Sequence, residues 1–478
     1  MNIGSYKSNL KFLFLLFFFI LFLRLVLNIY LDLPLHFDEA QYWDWSRNLE
    51  WGYFSKPPVL PGLIRIITNI CGNSESCIRA ASPIFHFLTS IVIAYSTFCI
   101  TKSYKKSIFA GLLFTLMPGI TFSSLMISTD VPLLFFSSLV GLLVIKLYQL
   151  KQKNNLYYFL LTVVLALGIL SKYATLYLLV SIFISVILLK DIRTLFLNKK
   201  FLVSILGIIL LILPHIIWNI NNGFVTFTHT AANANFKGFN FNLFQGIIFL
   251  TSQALIFGAV PVYLIIKRSF LFTSLSTIQQ FAFLNFIIPI IIILFLSIIS
   301  RANANWAVIG YPFGCLFLAS LININTPLYK SLSLLNQFVF SSFLVFFLCY
   351  QITEKIDPFY KLRHVKPLAN ILKYEITSRN NIAFIADDRE DFAHMLYYLK
   401  DLDIKKAKWN GDDKIDDHYE LTTNINDLRG KDILLLTRTA PTQEMIDRSV
   451  SYKKIRNITL NYHKKERVFN VFLMKSWN

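Results

Sequence analysis

The sequence predicts a polytopic α-helical membrane protein that ends in a small soluble α/β domain. Three observations predict it. Of 478 residues, 55% are hydrophobic and 46 are Phe, more apolar surface than a soluble domain can cover. Several runs approach the roughly 20 apolar residues a helix needs to cross a bilayer. Composition then changes sharply near residue 353, where charged residues replace the apolar runs. The chain therefore divides into a transmembrane domain over 1–352, with a first outer loop at about 32–81, and a C-terminal α/β domain over 353–478.

Eleven spans follow from the apolar runs: about 12–31, 82–100, 107–127, 131–149, 156–171, 173–189, 201–218, 244–266, 279–299, 305–323 and 332–352. They are read as helices because lipid offers no water to unpaired backbone groups. The first run is long for a signal h-region and no small-x-small cleavage site follows it, so it reads as a retained span.

Charge orients the spans. Before residue 353 there are 23 Lys/Arg and 8 Asp/Glu. Fifteen of the basic residues fall in alternate connections, from Lys7 and Lys11 through Lys102, Lys146, Lys190 and Lys267 to Lys330, with Asp191 the one acid among them. The other seven acids fall on the opposite side. By the positive-inside rule the amino terminus is cytoplasmic and the loop at 32–81 faces outward; an odd number of spans puts the tail outside as well. The net charge of +19 is thus mostly topological. A nucleic-acid reading needs a basic face on a folded module, and these cations are spread through short loops.

Of five cysteines, Cys99, Cys315 and Cys349 lie in apolar segments and read as packing residues. Cys71 and Cys77 bracket GNSES in the outward loop. An oxidising compartment allows a bridge there, although spacing alone does not establish one.

In the tail, NIAFIADDREDFAHMLYYL reads as strand, turn and amphipathic helix, and DILLLTR and RVFNVFLM read as further strands. Asp387, Asp388, Glu390 and Asp391 suggest either a metal site or a solvated turn with a helix N-cap, and the second reading is favoured. No repeated block relates the two halves of the membrane region, and no Gly/Pro-broken spans occupy matching positions, which weighs against a carrier.

The unusual residues lie in the outward loops. Residues 36–58 read HFDEAQYWDWSRNLEWGYFSKPP and hold four carboxylates and three tryptophans. Tyr42, Trp45 and Leu49 share one helical face, as in a helix lying at the headgroup level. Pro57-Pro58 stops any helix, and the run from Val59 to Ile70 reads as a second interfacial piece. Asp38 and Gln41 have the spacing of a capping box, so capping and chemistry both stand as readings of Asp38. Asp130, in STDVP, likewise opens a span with proline in its first turn. Lys56 has the snorkelling alternative. Taken together, acids and several cations (Lys56, Arg79, Lys172, Arg301) on one membrane face suit a reaction in which a phosphate leaves and a hydroxyl attacks. Arg24, inside the first span, is a functional candidate by default.

These residues also resemble a known family. Asp38-Glu39-Ala40 with Tyr42-Trp43, then Trp51-Gly52-Tyr53-Phe54 and Lys56-Pro57-Pro58, resemble the first outer loop of bacterial glycosyltransferase family 39, in the glycosyltransferase-C superfamily. This group is related to the dolichyl-phosphate-mannose protein mannosyltransferases and to the lipid A aminoarabinose and galacturonic acid transferases. Ser128-Thr129-Asp130-Val131-Pro132 resembles its second acidic motif, and Leu170-Ser171-Lys172-Tyr173 its lysine-tyrosine motif. Trp218-Asn219 with Gly223-Phe224 and Asn305-Trp306 with Tyr311-Pro312 resemble two later elements. The similarity runs in collinear order over roughly residues 10–320.

The resemblance implies a glycosyltransferase-C fold in the bacterial inner membrane, with a periplasmic active site and tail. It implies transfer of a sugar from a polyprenyl-phosphate donor to a hydroxyl of lipid A, lipopolysaccharide core or another envelope glycoconjugate. Asp38 is then the leading catalytic carboxylate, with Glu39 beside it and Asp130 as a second acid. Lys56 and Lys172 would contact the donor phosphate, with Arg79 and Arg301 as further cations. Trp43, Tyr53, Tyr173, His229, Asn305 and Trp306 are the candidate substrate contacts. Phe54-Ser55-Lys56 departs from the histidine-containing run that several lipid A transferases carry near Pro57.

The chemistry asks for such residues. As the sugar–oxygen bond breaks, a second negative charge develops on the departing phosphate, and fixed cations in a partly dry site stabilise it. The weakly nucleophilic hydroxyl needs a carboxylate to accept its proton, and attack from the opposite face inverts the anomeric centre. A monophosphate leaving group carries less charge than a nucleotide diphosphate, so no cofactor is required on this reading and no metal ligand is assigned; a divalent metal stays open. His229 has no second histidine or cysteine at ligand spacing, and a solvated loop histidine is the plainer reading. Asn233, Asn235 and Asn240 are further polar residues in its loop. The competing readings are a carrier or flippase for a lipid-linked substrate, a protein O-mannosyltransferase-like activity, and an assembly protein docking through its tail.

Overall fold

The computed structural model describes residues 3–151, 154–233, 241–349, 357, 359–412, 414–462 and 465–478. The chain begins with helix α1 (Ile3–Leu31), α2 (Phe37–Trp45), α3 (Val59–Cys71) and α4 (Glu75–Thr101). Next come α5 (Tyr104–Thr115), α6 (Pro118–Ser123), α7 (Asp130–Gln149), α8 (Asn155–Ser171) and α9 (Thr175–Leu188). There follow α10 (Lys190–Phe196), α11 (Lys199–Asn221), α12 (Val225–Asn233), α13 (Leu243–Phe257) and α14 (Ala259–Ser269). The membrane helices end with α15 (Thr277–Ile299), a 3-10 turn at Ala304–Gly310 running into α16 (Tyr311–Leu321), and α17 (Pro327–Cys349).

Among the described residues all eleven apolar runs fall on helices, but not all as single rods. Five described helices are long and apolar enough to cross a membrane, six if one bent pair counts as a span. The bent pair is α13–α14, which turns by 107° at Gly258, whose φ of 111° suits a residue without a Cβ. The run 107–127 is broken between α5 and α6 because Pro118 starts a new helix and holds Met117 out of the α region. Carbonyls freed at this break and at the end of α6 are answered by side chains. The Arg24 guanidinium donates to Thr115 O, Asn28 Nδ2 to Ser124 O at 2.9 Å and Ser82 Oγ to Ser123 O at 2.7 Å. Arg24, the intramembrane charge, thus has a structural use: it caps a helix end that lipid would leave unpaired.

By its contacts the chain forms two compact units. The first comprises residues 1–30, 56–63 and 79–346. Its core is a continuous apolar cluster running from Ile93 through α7, α9, α15 and α16 to Leu332. Small residues let helices approach closely, as is usual in membranes. Gly310 is the clearest case: a Cβ there would lie 2.8 Å from Phe286 O. The turn Ala304–Gly310 is pinned by hydrogen bonds from Ser137 Oγ to Ile309 O (2.8 Å) and from Gln253 Nε2 to Ala304 O (2.8 Å). By contrast α11 leaves Leu202, Val203, Leu206 and Leu210 exposed, as a lipid-facing surface does.

The second unit comprises residues 31–55, 64–78 and 347–478. Its five-stranded sheet contains β1 (Ile382–Ala386), β2 (Lys406–Lys408), β3 (Asp432–Thr437), β4 (Ser449–Tyr462) and β5 (Lys465–Trp477), in the order β2-β1-β3-β5-β4. β1 runs parallel to β2 and β3, and β5 antiparallel to β3 and β4. The helices of the tail are α18 (Val365–Thr377), α19 (Arg389–Tyr398), α20 (His418–Thr422) and α21 (Gln443–Asp447). The expected strand–turn–helix and both later strands are present. β2, only three residues long, and β4, which reads KKIRN at its centre, carry too weak an apolar signal to be seen in sequence.

Most of the first loop, residues 31–55 and 64–78, belongs to this unit. Trp43 Nε1 donates to Asn73 Oδ1 at 2.8 Å, and Tyr397 OH donates to Asn73 O at 2.6 Å. Tyr398 OH donates to Glu75 Oε1 at 3.0 Å, and Lys366 Nζ lies 2.9 Å from Asp32 and 3.4 Å from Glu75. Cys71 and Cys77 are joined by a disulfide. Two expectations change. The aromatic face of α2 does not meet solvent or headgroups: Trp45 is buried, stacked on Tyr53 at 4.6 Å, with His418 edge-on at 4.9 Å. Exposed apolar residues sit instead on α3, at Ile66 and Ile70. Cys349 is exposed rather than packed; Cys99 and Cys315 are buried.

Candidate active site

In the membrane unit three motifs distant in sequence meet at one carboxylate. Thr129 is the N-cap of α7 but makes no side-chain cap bond, and the Asp130 carboxylate is directed elsewhere. Lys172 Nζ donates to Asp130 Oδ1 at 2.6 Å, and Asn305 Nδ2 donates to Asp130 Oδ2 at 2.7 Å. Lys172 is the residue that ends α8 in an extended conformation, and Asn305 lies on the pinned turn before α16. The side chains of Asp130 and Lys172 are 12% and 17% exposed, so the pair is largely covered yet reachable. Trp306 packs half-buried against the membrane core. Arg301 is exposed, Lys56 half-buried and Arg79 fully buried.

Beside Lys172 in sequence, Tyr173 OH lies 2.5 Å from His215 Nε2, and its ring stacks on Phe227 at 5.1 Å. Asn219 Nδ2 lies 3.3 Å from the same imidazole nitrogen. The expected Trp218-Asn219…Gly223-Phe224 element is also a helix stop: Gly223 and Phe224 both have positive φ, and Phe224 N–H donates to Asn219 O at 2.7 Å. His215 was not singled out from sequence. The signal was there, an ionisable side chain inside the apolar run 201–218. His229 is half-buried on α12, 3.2 Å from Asn233; Asn235 and Asn240 lie outside the described residues.

In the loop and tail unit, the capping box is formed by other residues than Asp38 and Gln41. His36 is the N-cap of α2 and accepts from Asp38 N–H, while Glu39 Oε2 accepts from His36 N–H at 2.9 Å. Glu39 is buried and committed to this cap. Asp38 is therefore released from capping. Its carboxylate is 44% exposed, 3.8 Å from His36 Nδ1 and 4.0 Å from Arg389 Nη2. Trp43 and Tyr53 are buried among loop residues, with Tyr53 OH donating to Trp45 O at 3.1 Å. Burial also lifts the Tyr53 phenol to about 12. One further group stands out. Asp44, in the last turn of α2, has its carboxyl raised to about 7 by burial, against the opposing pull of Arg47 and Lys406.

The acids of the tail are used in folding. Asp388 caps α19, accepting from Glu390 and Asp391 N–H groups, and Arg438 binds Asp391 through two nitrogens at 2.8 and 2.9 Å. Among the described residues no group of three His, Cys, Asp or Glu side chains has the arrangement to hold a metal ion.

Known proteins resemble this chain in parts and as a whole. Residues 55–218 match the family described as Dolichyl-phosphate-mannose-protein mannosyltransferase. The lipid A galacturonosyltransferase RgtD of Rhizobium johnstonii is 27% identical over 310 residues, 62% of this chain and 62% of that protein. The match thus spans less than two thirds of this curated relative. The crystal structure of ArnT from Cupriavidus metallidurans in the apo state superposes with a TM-score of 0.69 at 11% identity, covering 98% of both chains. The same protein bound to undecaprenyl phosphate gives 0.66 at 13% identity, covering 96% of this chain and 97% of that one. The likeness read from the loop motifs is borne out: the chain is a multi-pass membrane protein that shares the fold of ArnT, and residues 55–218 are similar to the dolichyl-phosphate-mannose-protein mannosyltransferases.

Proposed function

We propose that this protein transfers a sugar from a polyprenyl-phosphate donor to a hydroxyl of a glycolipid acceptor of the lipid A class, inverting the anomeric centre. The observation that carries the reading is the meeting of three family motifs at Asp130, Lys172 and Asn305. A relative that is a lipid A galacturonosyltransferase and a fold match seen with undecaprenyl phosphate support the choice of acceptor and donor. The carrier alternative loses its main support, since Arg24 caps a broken helix.

Roles are assigned residue by residue. Asp38 accepts the proton of the acceptor hydroxyl as its oxygen bonds to the anomeric carbon. The electron pair of the broken carbon–oxygen bond goes to the phosphate, and polyprenyl phosphate leaves as the dianion. Lys172, with Lys56, Arg79 and Arg301 as further cations, stabilises that charge. Asp130 and Asn305 orient Lys172 rather than act as bases. Glu39, committed to its cap, is dropped from the catalytic set. The site lies on the periplasmic side of the inner membrane, the orientation supported by the charge asymmetry of the loops.

The test uses the purified full-length protein in lipid nanodiscs with radiolabelled polyprenyl-phosphate sugars and a lipid A acceptor. Label should move to the acceptor with release of polyprenyl phosphate. Failure with galacturonosyl, aminoarabinosyl and hexosyl donors alike would reject the reading.

A further inference from the structure

Arg389 is a cation of the tail that leaves the acids beside it to other partners. In the run Asp387-Asp388-Arg389-Glu390-Asp391, Thr437 Oγ1 donates to Asp387 at 2.6 Å and Asp388 caps α19. Arg438 lies within 3.2 Å of Asp388 and 3.6 Å of Glu390, and grips Asp391 in a fork. Arg389, the first residue of α19, reaches instead to the first turns of α2. Its Nη1 donates to Gln41 Oε1 at 3.1 Å, and its guanidinium lies 4.9 Å over the Phe37 ring. Its Nη2 stands 4.0 Å from Asp38 Oδ1. Gln41 is buried, and its Nε2 has no hydrogen-bond partner among the described residues, so the bond from Arg389 is what holds this amide.

We infer that Arg389 is a positioning residue through which the C-terminal region orients the Asp38 carboxylate. The inference rests on the reading of Asp38 as the base and gives the tail a part in the reaction. The planar guanidinium is fixed twice, by Gln41 and by Phe37, which leaves Nη2 at a set place beside Asp38. A lysine has a single nitrogen and no planar fork, so it satisfies either Gln41 or Asp38 but not both. At 4.0 Å the pair is looser than a direct hydrogen bond, and both side chains are partly exposed, so its value for stability is small. Its value is in orientation, where small displacements of a catalytic group cost rate.

Two readouts test this, one independent of turnover. In transfer assays Arg389→Gln should lower kcat about 30-fold with donor KM within twofold, and Arg389→Lys should lower it about tenfold. In an Asp38→Asn background neither should lower the residual rate further. Independently, carbodiimide–amine labelling read by mass spectrometry should modify Asp38 several-fold faster in Arg389→Gln than in the parent, with exposed Asp412 labelled equally in both. Should Arg389→Gln fail to fold, Arg389→Lys carries both measurements. Unchanged Asp38 labelling, or additive rate losses with Asp38→Asn, would overturn the inference. Absence of transfer by the parent protein, with labelling altered as expected, would sink the proposed function while leaving the pairing in place.

Discussion

The membrane unit and the loop–tail unit each hold a carboxylate that the sequence singled out, and they hold them differently. Asp130 has a partner on each oxygen, at 2.6 and 2.7 Å, and is nearly covered. Asp38 is 44% exposed, with His36 Nδ1 3.8 Å and the Arg389 guanidinium 4.0 Å away. A carboxylate whose lone pairs are taken by fixed donors has no oxygen open to an incoming hydroxyl and is a good anchor. One with open oxygens at a helix start can receive a proton from an incoming hydroxyl. On the proposed reading, the same residue type serves as scaffold in one unit and as reagent in the other.

The sharpest way to break this contrast is to remove each acid in turn. Asp38→Asn, nearly isosteric, should lower kcat about 10³-fold while the thermal midpoint moves by no more than about 1 °C. Asp130→Asn should lower kcat/KM about 100-fold and, unlike the first, also lower the thermal midpoint. Lys172→Ala should cost more stability, about 3 kcal/mol, because it leaves a largely covered carboxylate without its cation. Equal stability of the two Asp→Asn variants in scanning fluorimetry would erase the distinction. At the small end, Glu39→Ala should cost about 1 kcal/mol, the usual value of a lost cap. The protein that remains folded should keep the parent kcat; a large loss of kcat there would return Glu39 to the chemistry.

Why some of this was legible in sequence and some not follows from the kind of signal involved. Apolar runs of bilayer length are local, so all eleven helical regions were found, yet breaks at Pro118 and Gly258 depend on contacts such as that of Arg24 with Thr115 O. The motifs holding Asp130, Lys172 and Asn305 were recognisable one by one. Their meeting was not, because residues 130 and 305 approach only when α7 and the turn before α16 pack together. Local spacing misled at α2: Asp38-x-x-Gln41 has the form of a capping box, but His36 and Glu39 supply it two residues earlier. Nor did periodicity reveal that the aromatic face of α2 packs on Tyr53 and His418, since a buried face and a lipid-facing face look alike in sequence.

The loop–tail unit also carries a group whose titration falls near neutrality, and this yields a prediction on pH. Burial lifts the Asp44 carboxyl to about 7 from an ordinary 3.8, with Arg47 and Lys406 pulling the other way. A folded-state value above the unfolded one means that between about pH 4 and pH 7 the native state holds more protons than the unfolded chain. Stability from this group is therefore lost as pH rises through that window, and the penalty is complete above it. Asp44 keeps some exposed surface, so the effect on midpoint should be a few degrees rather than the full shift converted to energy. Asp44→Asn removes the ionisation: its midpoint should match the parent at pH 4.5 and exceed it by about 2–4 °C at pH 8. A difference that is flat with pH would mean that Asp44 is solvated and ionised throughout, and that α2 lies less deeply against its surroundings than Trp45 and Tyr53 indicate.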